Sequence, residues 1–123
     1  MIGKAYWSLL KFYDRSSHKM SYKKRPILII GQADSTDFVV LPISSVSDPT
    51  KIHSVYDVQL LPSSYPKMNL KTVSYVRTHK QTVVNIAQFD DEILDFKTEY
   101  EECFIEIMAK VEDFQKKMID KAL

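Results

Sequence analysis

Two glycines, Gly3 and Gly31, and one cysteine, Cys103, are all that the 123 residues contain of either type. Scarcity of glycine excludes a glycine-rich loop that wraps phosphates with its backbone. A single cysteine excludes an internal disulfide and fits a reducing cytosol. His18, His53 and His79 are scattered, and no His/Cys cluster has zinc spacing. Cys103 lies in a helical apolar stripe, where a thiol is more often packing than nucleophile. Metal, nucleotide cofactor and thiol chemistry are therefore not expected. Long apolar runs are missing too: no segment approaches the roughly 20 residues that span a bilayer. Lys4 and Lys11 bracket too short a stretch for a signal-peptide core. The expectation is a single cytoplasmic domain over residues 1–123, without membrane contact.

What is present is uneven. The formal net charge is only +1, yet Lys4, Lys11, Arg15, Lys19, Lys23, Lys24 and Arg25 crowd the first 25 residues against Asp14 alone. From Asp90 to Glu106 the sign inverts, with Asp90, Asp91, Glu92, Asp95, Glu99, Glu101, Glu102 and Glu106 facing only Lys97. Such polarity suggests a basic, anion-binding end and an acidic end, or two solvated surfaces that complement each other.

Residues 1–89 read as short strands separated by turn chemistry. Ala5–Phe12 is aromatic and extended, 14–24 is polar and loop-like, and Ile27–Ile30 is an apolar strand. Phe38–Ile43 follows, then a Ser/Asp/Pro-rich loop over 44–53. Tyr56, Val58 and Leu60 alternate with Asp57 and Gln59, the period of a half-buried strand. Thr72–Thr78 and Gln81–Ile86 add two more. Short strands at this spacing predict a small barrel or sandwich. After Phe89 the period changes: Ile93, Phe96, Tyr100, Cys103/Phe104, Ile107, Val111, Phe114 and Met118 recur at steps of three and four. The reading is a helix of about eight turns over 90–121, with Asp90 and Asp91 capping its start. Phe96, Tyr100, Ile107, Phe114 and Met118 exceed what one sheet face covers, which predicts a homodimer.

Three polar stretches lie at strand ends: Lys23-Lys24-Arg25, Ser44-Ser45, and Arg77-Thr78-His79-Lys80. Singly, each is most simply a solvated terminus, and cations beside "PILII" are common gatekeepers against aggregation. On one rim of a barrel they would make a basic site lined with hydroxyls.

The same stretches carry a resemblance. "GKAYW" (3–7), "KRPILII" (24–30), "VVLPISS" (39–45), "VSYVRTHKQTV" (73–83) and "NIAQFDDEIL" (85–94) resemble, in order and spacing, the motifs of the MazF/PemK-like toxins of type II toxin–antitoxin systems. Tyr22-Lys23-Lys24 and Ala87 stand where that family usually has glycine. The resemblance implies an SH3-like barrel of the MazF/PemK/CcdB type with a long C-terminal helix. It also implies a homodimer that cleaves single-stranded RNA without metal, and an antitoxin that blocks the site. The family's Arg-Pro arginine falls on Arg25 and its catalytic hydroxyl on Ser44. Arg77 is then a second phosphate contact, Lys23 and Lys24 add positive field, and His18 is placed to meet a base. Ser45, Thr78 and Lys80 complete the expected RNA contacts, and His79 is a chemically natural acid–base group. Two alternatives stay open: a barrel that binds RNA or protein without cutting, and a CcdB-type gyrase inhibitor.

Overall fold

A computed structural model describes all residues, 1–123. Seven strands form one curled antiparallel sheet, a half-barrel, with a helix at the C-terminus. The strands are β1 (Lys4–Asp14), β2 (Lys19–Gln32), β3 (Asp37–Ser44), β4 (Asp57–Leu60), β5 (Ser74–Arg77), β6 (Thr82–Asn85) and β7 (Phe89–Asp95). Their order is β4-β5-β3-β2-β1-β7, and β6 pairs with β3 beside β5. A short helix, α1 (Phe96–Glu99), leads into α2 (Glu101–Ala122).

Ile27, Leu28 and Ile29 are all fully buried, because the sheet has apolar cover on both faces. On one face Leu28, Leu41, Ile43, Val58, Leu60 and Val76 meet Phe96, Phe104, Ile107 and Val111 of the helices. On the other, Ile27, Ile29, Leu10, Phe38, Val40 and Val84 form a smaller core, with Tyr6 and Phe89 packed against it. The alternation at Tyr56–Leu60 is realised: Tyr56, Val58 and Leu60 are buried, while Asp57 and Gln59 face the other way.

Three expectations need correction. The polar stretch 14–24 is a β-hairpin, with β1 and β2 paired from Ala5↔Leu28 out to Asp14↔Lys19. It lacks an alternating pattern because this end of the ladder extends past both cores. The helix does not start at residue 90. Residues 89–95 instead pair with the edge of β1, where Asp90 meets Lys24 at 2.6 Å and Glu92 meets Lys4 at 3.1 Å. Over six residues, apolar positions at 93 and 96 suit either element. The helical cap is Asp95, whose Oδ1 accepts the Thr98 N–H at 3.2 Å. The chain breaks again at Tyr100 before roughly six turns of α2. Finally, the apolar stripe is only in part surplus: Phe96 and Ile107 are fully buried within one chain, Tyr100 and Phe114 are half-buried, and Met118 is exposed.

Gly3 joins the two halves. At φ 93° its N–H donates to the Ile29 carbonyl and its carbonyl accepts the Lys97 N–H, at 2.8 and 2.9 Å. A Cβ here would sit 2.6 Å from Lys97 Cβ.

Candidate functional site: a basic cleft where two strands part

Pro26 does not start its strand; it lies inside β2, opposite Trp7 of β1. Its effect is on the other side. The β2–β3 ladder ends at Ile27↔Pro42, beside two prolines, Pro26 and Pro42. Neighbouring antiparallel pairs alternate in bonding, so one of the two falls where the ladder would need an N–H. The strands stop bonding there, and β3 goes on to pair with β5 through Ile43↔Val76 and Ser44↔Tyr75. The same register carried two residues past the last β2–β3 pair sets Arg25 opposite Ser44. Both line a cleft of about 420 Å³ at this opening.

The cleft is strongly cationic. Arg25, Arg77, Lys11, Lys51 and Lys80 line it, with Ser44, Ser45, Ser47 and Thr82 supplying hydroxyls and Asp48 the one carboxylate. Arg77 is held in place. Its Nε and Nη2 each donate to the buried Asp57 carboxylate at 3.1 Å, and Nη2 also donates to the Lys51 carbonyl at 2.8 Å. Asp57 and Arg77 are cross-strand partners on β4 and β5, so the sheet register makes this fork. Arg25 has no such carboxylate. Burial, and then the charge of Arg77, push its guanidinium below the ordinary value. Lys80 is lowered in the same way by burial and by Arg77, more weakly by Arg25, against a rise from Asp57. The cations destabilise one another, and an anion in the cleft relieves that strain. Asp48 Oδ1 accepts from the Thr50 N–H and hydroxyl at 3.0 and 2.7 Å, which holds this carboxyl below the usual range and ionised.

The other expected residues divide. Ser45 lines the cleft. Lys23 and Lys24 do not; they border a second depression beyond Arg25, and Lys24 is ion-paired with Asp90. Thr78 is fully buried and its hydroxyl donates to the Tyr56 carbonyl at 2.6 Å, so it cannot meet a ligand. His79 turns away, packing among His53, Tyr56 and Phe114. Its Nδ1 is buried without a hydrogen bond, 3.8 Å from Asp57 Oδ1. Burial outweighs the nearby carboxylate and lowers its pKa, which keeps the ring neutral. His18 sits in the hairpin turn at φ 56°, seven residues and roughly 23 Å along the strand from Arg25. Sequence reasoning missed Asp57, Asp48, Lys11 and Lys51. Asp57 had a legible signal, as the charged residue on the polar face of an alternating strand.

No group of three or more His, Cys, Asp or Glu side chains is arranged to hold a metal ion. Compared with protein-family models and with curated proteins, the chain matches none.

Proposed function

We propose that the chain is an endoribonuclease that cleaves single-stranded RNA without metal, a toxin of the MazF/PemK-like kind with an SH3-like barrel. In this reading it acts in the cytoplasm as a homodimer and is neutralised by an antitoxin that offers acidic groups to the cleft. The observation that carries the reading is that Arg25 and Ser44 line one cleft whose remaining charge is almost wholly positive.

Cleavage joins the 2′-oxygen to phosphorus and expels the 5′-oxygen of the next nucleotide, leaving a 2′,3′-cyclic phosphate and a 5′-OH. Negative charge grows on the phosphoryl oxygens, and a fixed guanidinium and hydroxyl stabilise it there. Arg25 brings a planar fork matched to phosphate, and Ser44 a short donor from the facing strand. Arg77 is clamped by Asp57 and positions a neighbouring phosphate. The leaving alkoxide is more basic than a guanidine, so Arg25 is suited to protonate it, all the more with its pKa lowered. Asp48 is the one anionic side chain on the cleft wall and the candidate acceptor for the 2′-OH proton.

The test is incubation with mixed-sequence RNA in the presence of a chelator, followed by analysis of the new ends. Fragments with 5′-OH ends that a polynucleotide kinase labels directly support the reading. Intact RNA that still binds in the cleft points to a non-catalytic barrel, and absence of binding as well points to a protein target.

A further inference from the structure

Trp7 is the chain's single tryptophan, and it belongs to neither core nor to the side chains packed against them. It is half-buried instead, in a depression of about 310 Å³ on the far side of Arg25 from the cleft. Pro26, Ile43 and Leu70 complete an apolar floor, and Lys23 and Lys71 stand at its edge. Arg25 and Ser45 line both spaces and form the ridge between them. A large aromatic left out of both cores is unusual, because burying it there is a major source of stability.

The polar groups of this depression suit a heterocycle. Asn69 ends the turn Pro66–Met68 in the left-handed conformation, φ 53°, with its backbone N–H donating to the Pro66 carbonyl. Met68, fully buried, anchors that turn to the core. The Asn69 carboxamide makes no hydrogen bond within the protein and offers a donor and an acceptor side by side. The Thr72 hydroxyl is equally uncommitted.

We propose that this depression is a nucleobase pocket, in which the base of a nucleotide held by its phosphate at Arg25 stacks on Trp7 and is read by Asn69. The proposal rests on the RNA reading of the cleft and gives that site its sequence preference. A base has a π-face for the indole and a hydrogen-bonding edge for the amide. The lysines at the edge favour the sugar–phosphate on either side of it.

Because Trp7 is alone, its fluorescence reports on this pocket without labelling. The full-length protein is titrated with a mixed-sequence single-stranded oligodeoxynucleotide, which has no 2′-OH to be cut, and with an abasic oligonucleotide of equal length. Fluorescence anisotropy of dye-labelled versions measures binding itself. We expect both to bind with salt-sensitive affinity and only the base-bearing one to quench Trp7. Trp7→Ala should weaken binding of the base-bearing strand roughly tenfold and that of the abasic strand little. Asn69→Gly keeps the backbone turn and removes the amide, so it should broaden the set of positions cut in mixed RNA. Binding without any change in Trp7 emission, or an unaltered cleavage pattern for Asn69→Gly, overturns the base pocket and leaves the cleft reading standing. Failure of both oligonucleotides to bind overturns both.

Discussion

Arg25 and Arg77 have the same charge, lie on either side of β3, and differ in what holds them. Arg77 is neutralised and oriented by Asp57, whereas Arg25 is partly buried with no carboxylate of its own. In the proposed reading Arg77 therefore positions and Arg25 carries the chemistry. Arg25→Lys keeps the charge and loses the fork, so cleavage should fall about a hundredfold or more while the melting temperature hardly moves. Asp57→Ala should instead cost about 3 kcal/mol in chemical denaturation, because it strands a mostly buried guanidinium; an unchanged midpoint would show that Arg77 finds another partner. His79 predicts a pH effect. Its folded pKa lies below the ordinary 6.5, so as pH falls past 6.5 the unfolded chain takes up the proton first. Stability should therefore decline from pH 6.5 down to the folded value and then level off. His79→Phe keeps the aromatic packing and should remove this step from melting curves at pH 7.5 and 5.5; an undiminished step would place the titration elsewhere. Arg25, Ser44, Arg77 and Lys80 were legible in the sequence as polar residues flanking apolar strand segments, and the fold brings them to one cleft. The Asp57–Arg77 fork was not, because alternation tells which face a residue takes and not which residue lies across from it.

At the scale of elements, the β2–β3 ladder ends beside Pro26 and Pro42 without ending either strand, and the cleft opens there. Helix α2 closes the other side of the sheet and ties down the loop before β4. Lys110 Nζ donates to the Val55 carbonyl at 2.6 Å, and the Tyr56 hydroxyl to Asp113 at 2.8 Å. Ile107→Ala should cost about 2–5 kcal/mol, as a fully buried isoleucine at the centre of that packing. Residues 117–123 are exposed throughout, so truncation after Lys116 should leave fold and cleavage nearly intact; loss of folding would show that the last turns carry packing between copies. The helical stripe from Phe96 onward was readable by its period. The strand before it was not, because its acids look like a helix start until Lys4 and Lys24 are seen across from them.

For the whole molecule, the charge polarity has a partly internal use. The acids of β7 neutralise cations of β1 and β2 outside the cleft, so the basic potential is left where Arg25, Lys51 and Lys80 stand. Few phosphate contacts follow. On the order of three released counterions give a slope of about −2 in log affinity against log salt, and a slope near zero in a salt titration would contradict the electrostatic reading. The proposed dimer also changes its basis. With Phe96 and Ile107 buried within one chain, exposed apolar side chains remain on the hairpin, at Leu9, Phe12, Tyr13, Met20 and Tyr22, as well as on α2 at Ile105, Met118 and Ile119. With the hairpin as the proposed interface, light scattering of a Tyr13→Asp, Tyr22→Asp variant should show monomer where the parent shows dimer. The central claim is that Arg25 acts on phosphate in this cleft. Its most direct measurement is single-turnover cleavage of one end-labelled RNA, with chelator, by the parent protein and by Arg25→Lys at equal, saturating concentration. The parent should give 2′,3′-cyclic phosphate products and the variant a rate at least a hundredfold lower; equal rates would contradict a role for Arg25 on the phosphate.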